Sequence, residues 1–327
     1  MLRRRLGLGL GRPEHAPLLT PSTSVDPGVD AAILVVPIHE RLVAADPQAA
    51  SPLYNGRIPP EIRNILFAAI LAEFTIPDPS RAYPPEISRP GFTGPFTMNV
   101  ALLLTCRRIY LETYHLPPQL ATHVFWHGPS RGPPDLRIRF SNDQGHWPER
   151  HYFLRLTPWQ HRFVKEIKLF TQMYWLDGAF PIICANGDIP VALERLKITL
   201  RKGDWWYNER NHPFFVNPHR GGHLEQYRED IAREECGQTI PWASSGWGTA
   251  LQRLPALQEL EVEFETSVDR KEELKLVVQR ALRWRFPMAN RGVLSNKGLG
   301  MALHEWQSES ESFCVFTVKW KLVENTK

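Results

Sequence analysis

Four side chains could hold a metal ion. His212, His219, His223 and Cys236 supply the nitrogen and sulfur donors that zinc takes. Their spacing matches no finger pattern, and histidines in a polar loop read as solvent-facing, so no metal is assigned. Acyl transfer needs an exposed nucleophile, and Ser244-Ser245-Gly246 lacks the G-x-S-x-G elbow that would present one. Asp177, Asp188 and Asp204 each adjoin a glycine and suit turns, where an Asp side chain bonds nearby backbone. The glycines at Gly7, Gly9 and Gly11 have no following Lys-Ser and no preceding strand, so they form no phosphate loop. No acid–base pair, phosphate cradle or ligand set emerges. The residues read as those of a non-enzyme with no cofactor.

Composition narrows the remaining classes. The 327 residues carry 39 basic and 35 acidic side chains, and the one basic block is Arg3 to Arg5. A nucleic-acid footprint is a concentrated basic patch, so no nucleic-acid partner is expected. The cysteines Cys106, Cys184, Cys236 and Cys314 are too scattered for a disulfide scaffold and suit a reducing compartment, cytoplasm or nucleus. No apolar run reaches the length of a membrane span, and the opening apolar stretch is too short for a signal peptide.

The elements that must do the positioning begin at residues 57–75. Pro59 and Pro60 fix the backbone, and Pro60 suits a first helical turn. Apolar residues then fall at Ile62, Ile65, Leu66, Ala69, Ile70 and Phe74, the rhythm of an amphipathic helix. A proline-rich loop at 77–97 reads as a surface insertion. Residues 99–115 form a second helix, with Asn99 as its N-cap and Leu102, Leu103, Cys106, Ile109, Tyr110 and Tyr114 on one face. A strand is expected at 136–140. Three later segments, 164–169, 193–200 and 257–264, share an L-x-x-L-x-L spacing that buries one face of a strand. Their unequal intervals predict a degenerate leucine-rich-repeat-like sheet instead of a regular solenoid. A charged helix is expected at 223–236. A further helix at 269–286 opens on an Asp269–Glu272 capping box. A final strand at 313–322 has Cys314, Phe316, Val318, Trp320 and Leu322 on one side.

Two stretches carry a resemblance. Ile58-Pro-Pro-Glu-Ile-Arg-Asn-Ile-Leu66 and Ala101-Leu-Leu-Leu-Thr-Cys-Arg-Arg-Ile-Tyr-Leu-Glu112 resemble fungal F-box-like proteins, which open "L-P-P-E-I-R-N-x-I-Y" and continue "L-L-x-T-C-R-x-I-Y-x-E". Ile58 stands where leucine is usual, and Phe67 where tyrosine is. Trp247, the Leu254-Pro stretch and Trp284-Arg-Phe-Pro287 resemble a filamentous-fungal family without assigned function. The resemblance implies that the first helix docks a Skp-type adaptor of an SCF ubiquitin ligase and that the repeat-like remainder holds a substrate protein.

The expected fold class is α+β, with an N-terminal helical pair packed on a repeat-like sheet and a C-terminal helix and strand. Residues 1–50 read as a disordered tail, 51–120 as an F-box-like helical segment and 121–325 as an interaction region. The expected function is protein–protein interaction, with a substrate receptor in ubiquitination as the sharper form. A fungal scaffold that binds no ubiquitin machinery is the alternative. Candidate partner-binding residues are Pro59, Pro60, Glu61, Ile62, Ile65, Leu66 and Phe67 on the first helix, and Trp205, Trp206 and Tyr207 in the aromatic loop. The same residues could instead serve as core, packing the helix on its own sheet and plugging the sheet's end.

Overall fold

The computed structural model describes residues 38–41, 45–75, 78–85, 87–127, 132, 156–208, 211–289 and 291–324. Most of the expected tail and the strand expected at 136–140 lie outside the described residues. The chain divides into two compact units, 1–43 and 44–327. The first contributes one helical turn, Ile38–Arg41. The second is α+β and contains everything that follows.

Among the described residues eight strands make its main sheet, in the order 123–126, 166–170, 195–200, 259–267, 312–324, 292–295 and 285–287, with 301–307 also on 312–324. β3 (His123–Trp126), β4 (Glu166–Phe170), β5 (Arg195–Leu200) and β6 (Glu259–Ser267) run parallel. β7 (Arg285–Pro287), β8 (Gly292–Ser295), β9 (Met301–Gln307) and β10 (Ser312–Glu324) form the antiparallel part. β10 lies against β6 on one edge. Its other edge takes β9 along its first half and β8 along its last residues.

The three L-x-x-L-x-L segments become β4, β5 and β6 with their motif positions in register. Ile167, Leu196, Leu260 and Trp320 form one row across four strands. Leu169, Ile198, Val262 and Val318 form the next. All eight are buried. Alternation sends the intervening residues to the opposite face, where charges pair across strands. Lys197 Nζ lies 2.9 Å from Glu261 and 2.6 Å from Glu263, and Lys319 Nζ lies 2.7 Å from Glu261. A one-residue slip would exchange leucines for charges, so the two faces jointly fix the register.

Parallel strands need crossovers, and α4 (Met173–Asn186) supplies the one between β4 and β5. It buries Met173, Trp175, Leu176, Ala179, Phe180, Ile183 and Cys184 on one side and leaves Tyr174, Gly178 and Ile182 exposed on the other. Gly187 ends it in the left-handed conformation, φ 74°, where a side chain would be strained. α5 (Leu224–Glu235) falls within the helix expected at 223–236, and α6 (Lys271–Ala281) buries Leu274, Val277, Val278 and Ala281 but is shorter than the helix expected at 269–286, because Arg285 and Phe286 enter strand β7. The Asp269–Glu272 capping box does not form, because a 3-10 turn at Val268–Arg270 precedes α6 and makes Arg270 its cap residue.

The helical segment has a core of its own. α1 (Pro60–Ile70) is followed by β1 (Phe74–Thr75). β1 pairs with β2 (Phe96–Thr97) and closes the base of the proline-rich loop. The expected second helix is split. Asn99 does cap its start, accepting the Ala101 N–H at 3.0 Å, but a 3-10 turn at Val100–Leu104 gives way to extended Cys106 before α2 (Arg107–Thr113). α3 (Leu116–Leu120) follows. The proline-rich loop is a strap laid on the sheet: Tyr83, Ile87 and Phe92 are buried against Trp126 and Phe170 at the ends of β3 and β4.

Leu260→Ala, at the centre of a buried row, is expected to lower unfolding free energy in urea by about 2–5 kcal/mol. Lys319→Ala on the solvated face should change it by less than about 1 kcal/mol.

Candidate interaction surface

The orientation of α1 decides what the helical segment displays. Pro59 precedes the helix in extended conformation, and Pro60 occupies its first turn. The inward stripe is Arg63, Phe67 and Leu71, spaced by four. Phe67 and Leu71 pack with Ile109 and Leu116, and half-buried Leu53, Tyr54, Met98, Leu102 and Leu103 surround them. Phe67, at 1% exposure, is therefore core and not part of any docking surface.

Arg63 sits on this inward stripe at 8% exposure, where an aliphatic side chain would be expected. Its guanidinium meets Glu112 through two contacts, Nε to Oε2 at 3.3 Å and Nη2 to Oε1 at 3.4 Å. Nη1 donates to the Ile58 carbonyl at 3.0 Å. Tyr54 lies beneath Arg63 and Arg108, with ring-centroid distances of 4.9 and 4.2 Å, and its hydroxyl donates to Glu112 at 3.4 Å. Burial and the Glu112 carboxylate push the Tyr54 hydroxyl up to about 12. Glu112 thus gathers Arg63, Arg108 and Tyr54. Arg63 belongs to the first motif of the resemblance and Glu112 to the second, so the two motifs meet as an ion pair.

The apolar stripe that sequence periodicity marks as a helix face points the other way. Ile62, Ile65, Leu66 and Ile70 are exposed, Ile65 at 65%. At ~100° per residue this stripe lies roughly 120° round the helix from the inward one. Pro59, Pro60 and Glu61 are exposed beside it. Phe74, Val100 and Leu104 add exposed apolar side chains to the same segment, Leu104 at 85%. Exposed apolar clusters of this kind mark interaction surfaces.

The aromatic loop divides differently. Trp205 is core: it is buried, stacks on Phe264, and donates its indole N–H to the Glu265 carbonyl at 2.9 Å. Trp206 is half-buried and donates to Asp177 Oδ2 at 3.0 Å. Tyr207 alone is exposed, held at φ 51°. The pair of tryptophans plugs the end of the sheet.

A concavity of about 670 Å³ opens where β5 and β6 end. Arg89 from the strap pairs with Glu265 of β6, and Glu265 also accepts the Lys202 N–H at 3.2 Å. Arg201 grips Asp204 through Nε at 2.7 Å and Nη2 at 3.2 Å. Lys202 pairs with Glu311 across the mouth. Trp306 and Phe313, stacked at 4.5 Å, form one wall. Three cations face four carboxylates here, so the lining carries no strong net charge.

The metal candidates do not converge. His223 and Cys236 flank the two ends of α5, about 20 Å apart at ~1.5 Å per residue. His219 instead stacks on Trp242 at 3.9 Å between centroids. Among the described residues no group of three His, Cys, Asp or Glu side chains is placed to hold a metal ion. None of the helices searched among the described residues is long and apolar enough to cross a membrane. Sequence reading missed both the Arg63–Glu112 and the Arg89–Glu265 pairs. For Arg63 the cue was a charged residue on an otherwise apolar helix stripe; Arg89, in a proline-rich loop, and Glu265, one of four alternating glutamates, offered none, and in both pairs the partner is remote in the chain. Compared with known proteins, the chain matches no family model, no curated protein and no solved structure.

Two expectations follow. Arg63→Ala leaves Glu112 without its bidentate partner and should lower stability by about 1–3 kcal/mol in urea unfolding. Burial raises the Asp177 carboxyl to about 7 and lowers His127 and His219 to about 4. Between about pH 4 and 7 the folded Asp177 keeps a proton that the unfolded chain has released, so its contribution falls as pH rises through that window. The histidines act in the opposite sense, losing stability as pH falls from about 6.5 to 4. Asp177→Asn should therefore raise the melting temperature near pH 8 and leave it unchanged near pH 3.

Proposed function

We propose that this protein works by non-catalytic protein–protein interaction, with α1 as its docking edge. The observation that carries the reading is the outward stripe of Ile62, Ile65, Leu66 and Ile70, on a helix whose inner face is already occupied by Arg63, Phe67 and Leu71. A helix that shows an apolar stripe to solvent fits a partner with an apolar groove or helix pair. The resemblance of the two motifs to fungal F-box-like proteins makes a Skp-type adaptor of an SCF ubiquitin ligase the first candidate, with the sheet end of the molecule holding a substrate protein. The four cysteines are free thiols, which suits cytoplasm or nucleus.

A second reading, a scaffold that binds no ubiquitin machinery, is favoured by one feature. The strap separates α1 from α2 by more than 30 residues and anchors them to the sheet through Phe92, Trp126 and Phe170. In this reading the outward stripe binds a different helical partner.

Affinity purification of the full chain against a purified Skp-type adaptor separates the two. The receptor reading predicts capture by the native chain and at least a tenfold loss with Ile65→Asp and Leu66→Asp, at unchanged melting temperature. Absence of capture by the native chain removes the adaptor. Capture that survives both substitutions removes α1 as the docking edge.

A further inference from the structure

β9 is an edge strand whose outer side is unused. It pairs with β10 without a bulge from Met301↔Val318 to Gln307↔Ser312. No other strand pairs with it among the described residues, and no backbone bond outside the ladders engages residues 301–307. Edge strands this long are normally blunted by proline, lysine, a bulge or a covering loop. Among the described residues β9 has none of these: its sequence is Met-Ala-Leu-His-Glu-Trp-Gln, and its one charge, Glu305, is bound to Lys271 of α6 at 2.7 Å. Met301 and Leu303 stand exposed beside the core rows, opposite Val318 and Phe316.

The chemistry of the occupant follows from the backbone. A free edge presents alternating N–H and C=O groups along an extended line, and the complement to that pattern is another extended polypeptide. We infer that β9 receives an extended segment of a partner protein as an added strand, with alternate apolar side chains covering Met301 and Leu303. The end of that segment reaches Trp306, which lines the cleft at the ends of β5 and β6. Glu309 on the cleft rim makes no ion pair among the described residues, and so favours a basic side chain there. A second copy of this chain fits the edge poorly. Antiparallel self-pairing centred on His304 would set His304 against itself and, on either side of it, Leu303 against the Glu305 carboxylate.

The β9 edge shares no residue with α1, so binding at either surface can fail alone. The test is selection from a random linear-peptide phage library against the full chain, followed by hydrogen–deuterium exchange on the native protein with a selected peptide. The expected result is slowed exchange across 301–307, with alternating apolar residues and a basic residue enriched among the peptides. Met301→Lys with Leu303→Lys should weaken binding about tenfold or more at unchanged melting temperature, while adaptor capture through α1 is unaffected. Selected peptides that protect other segments, or that bind the double variant as well as the native chain, overturn the inference. So does a dimer in sedimentation whose formation alone protects 301–307, because the edge then belongs to a second copy.

Discussion

The ion pair between Arg63 and Glu112 governs what the helical segment offers to solvent. α1 carries two stripes that could be buried. One is fully apolar, Ile62, Ile65, Leu66 and Ile70; the other opens on an arginine, Arg63, one turn before Phe67. Hydrophobicity alone would bury the first. The second is chosen because Glu112 and the Ile58 carbonyl satisfy the guanidinium, and Tyr54 lies flat against it. A buried ion pair contributes little net stability, since desolvation offsets much of the attraction. Its effect is on which rotation of the helix is allowed. Turning α1 to bury the isoleucines would also carry Arg63 away from Glu112.

The sheet obeys a different constraint. Its leucine rows and its cross-strand charges both require one register, and this was legible beforehand. The shared L-x-x-L-x-L spacing identified β4, β5 and β6, and the alternation at 313–322 identified β10 with its inward face. α5 and α6 were legible for the same reason, since each has one polar side. α4 was not. It is apolar nearly all round and contains Gly178 and Pro181, so no 3.6-residue period and no helix propensity marks it. The need for a crossover between parallel strands was the cue that could have revealed it. β9 was missed because both its faces are mostly exposed, which leaves no buried alternation to read, and β8 because it is only four residues long, with Leu294 as its one large buried side chain.

At the candidate surfaces, the sequence located the right helix but could not say which way it faces. Periodicity reports that a stripe exists; the contacts made by Arg63, remote in the chain, decide whether the stripe is core. The same limit applies to the aromatic loop. Trp205 and Trp206 look alike in sequence to Tyr207, yet the end of β6 and Asp177 of α4 take up the two indoles and leave the phenol outside. The strap shows the limit most plainly, because its prolines suggest a free loop. Tyr83, Phe92 and Arg89 instead fasten it to Trp126, Phe170 and Glu265, contacts that no local pattern encodes.

What the helical segment displays thus turns on the rotation of α1, and native-state thiol labelling reads that rotation. In a background with Cys106 and Cys236 replaced, a cysteine introduced at position 65 or at position 67 is exposed to a maleimide in the folded chain. The thiol at 65 is expected to react as fast as in a denatured control, and the thiol at 67 to be protected by orders of magnitude. Protection at 65 with free reaction at 67 would place the isoleucine stripe inside the protein and overturn this orientation of α1.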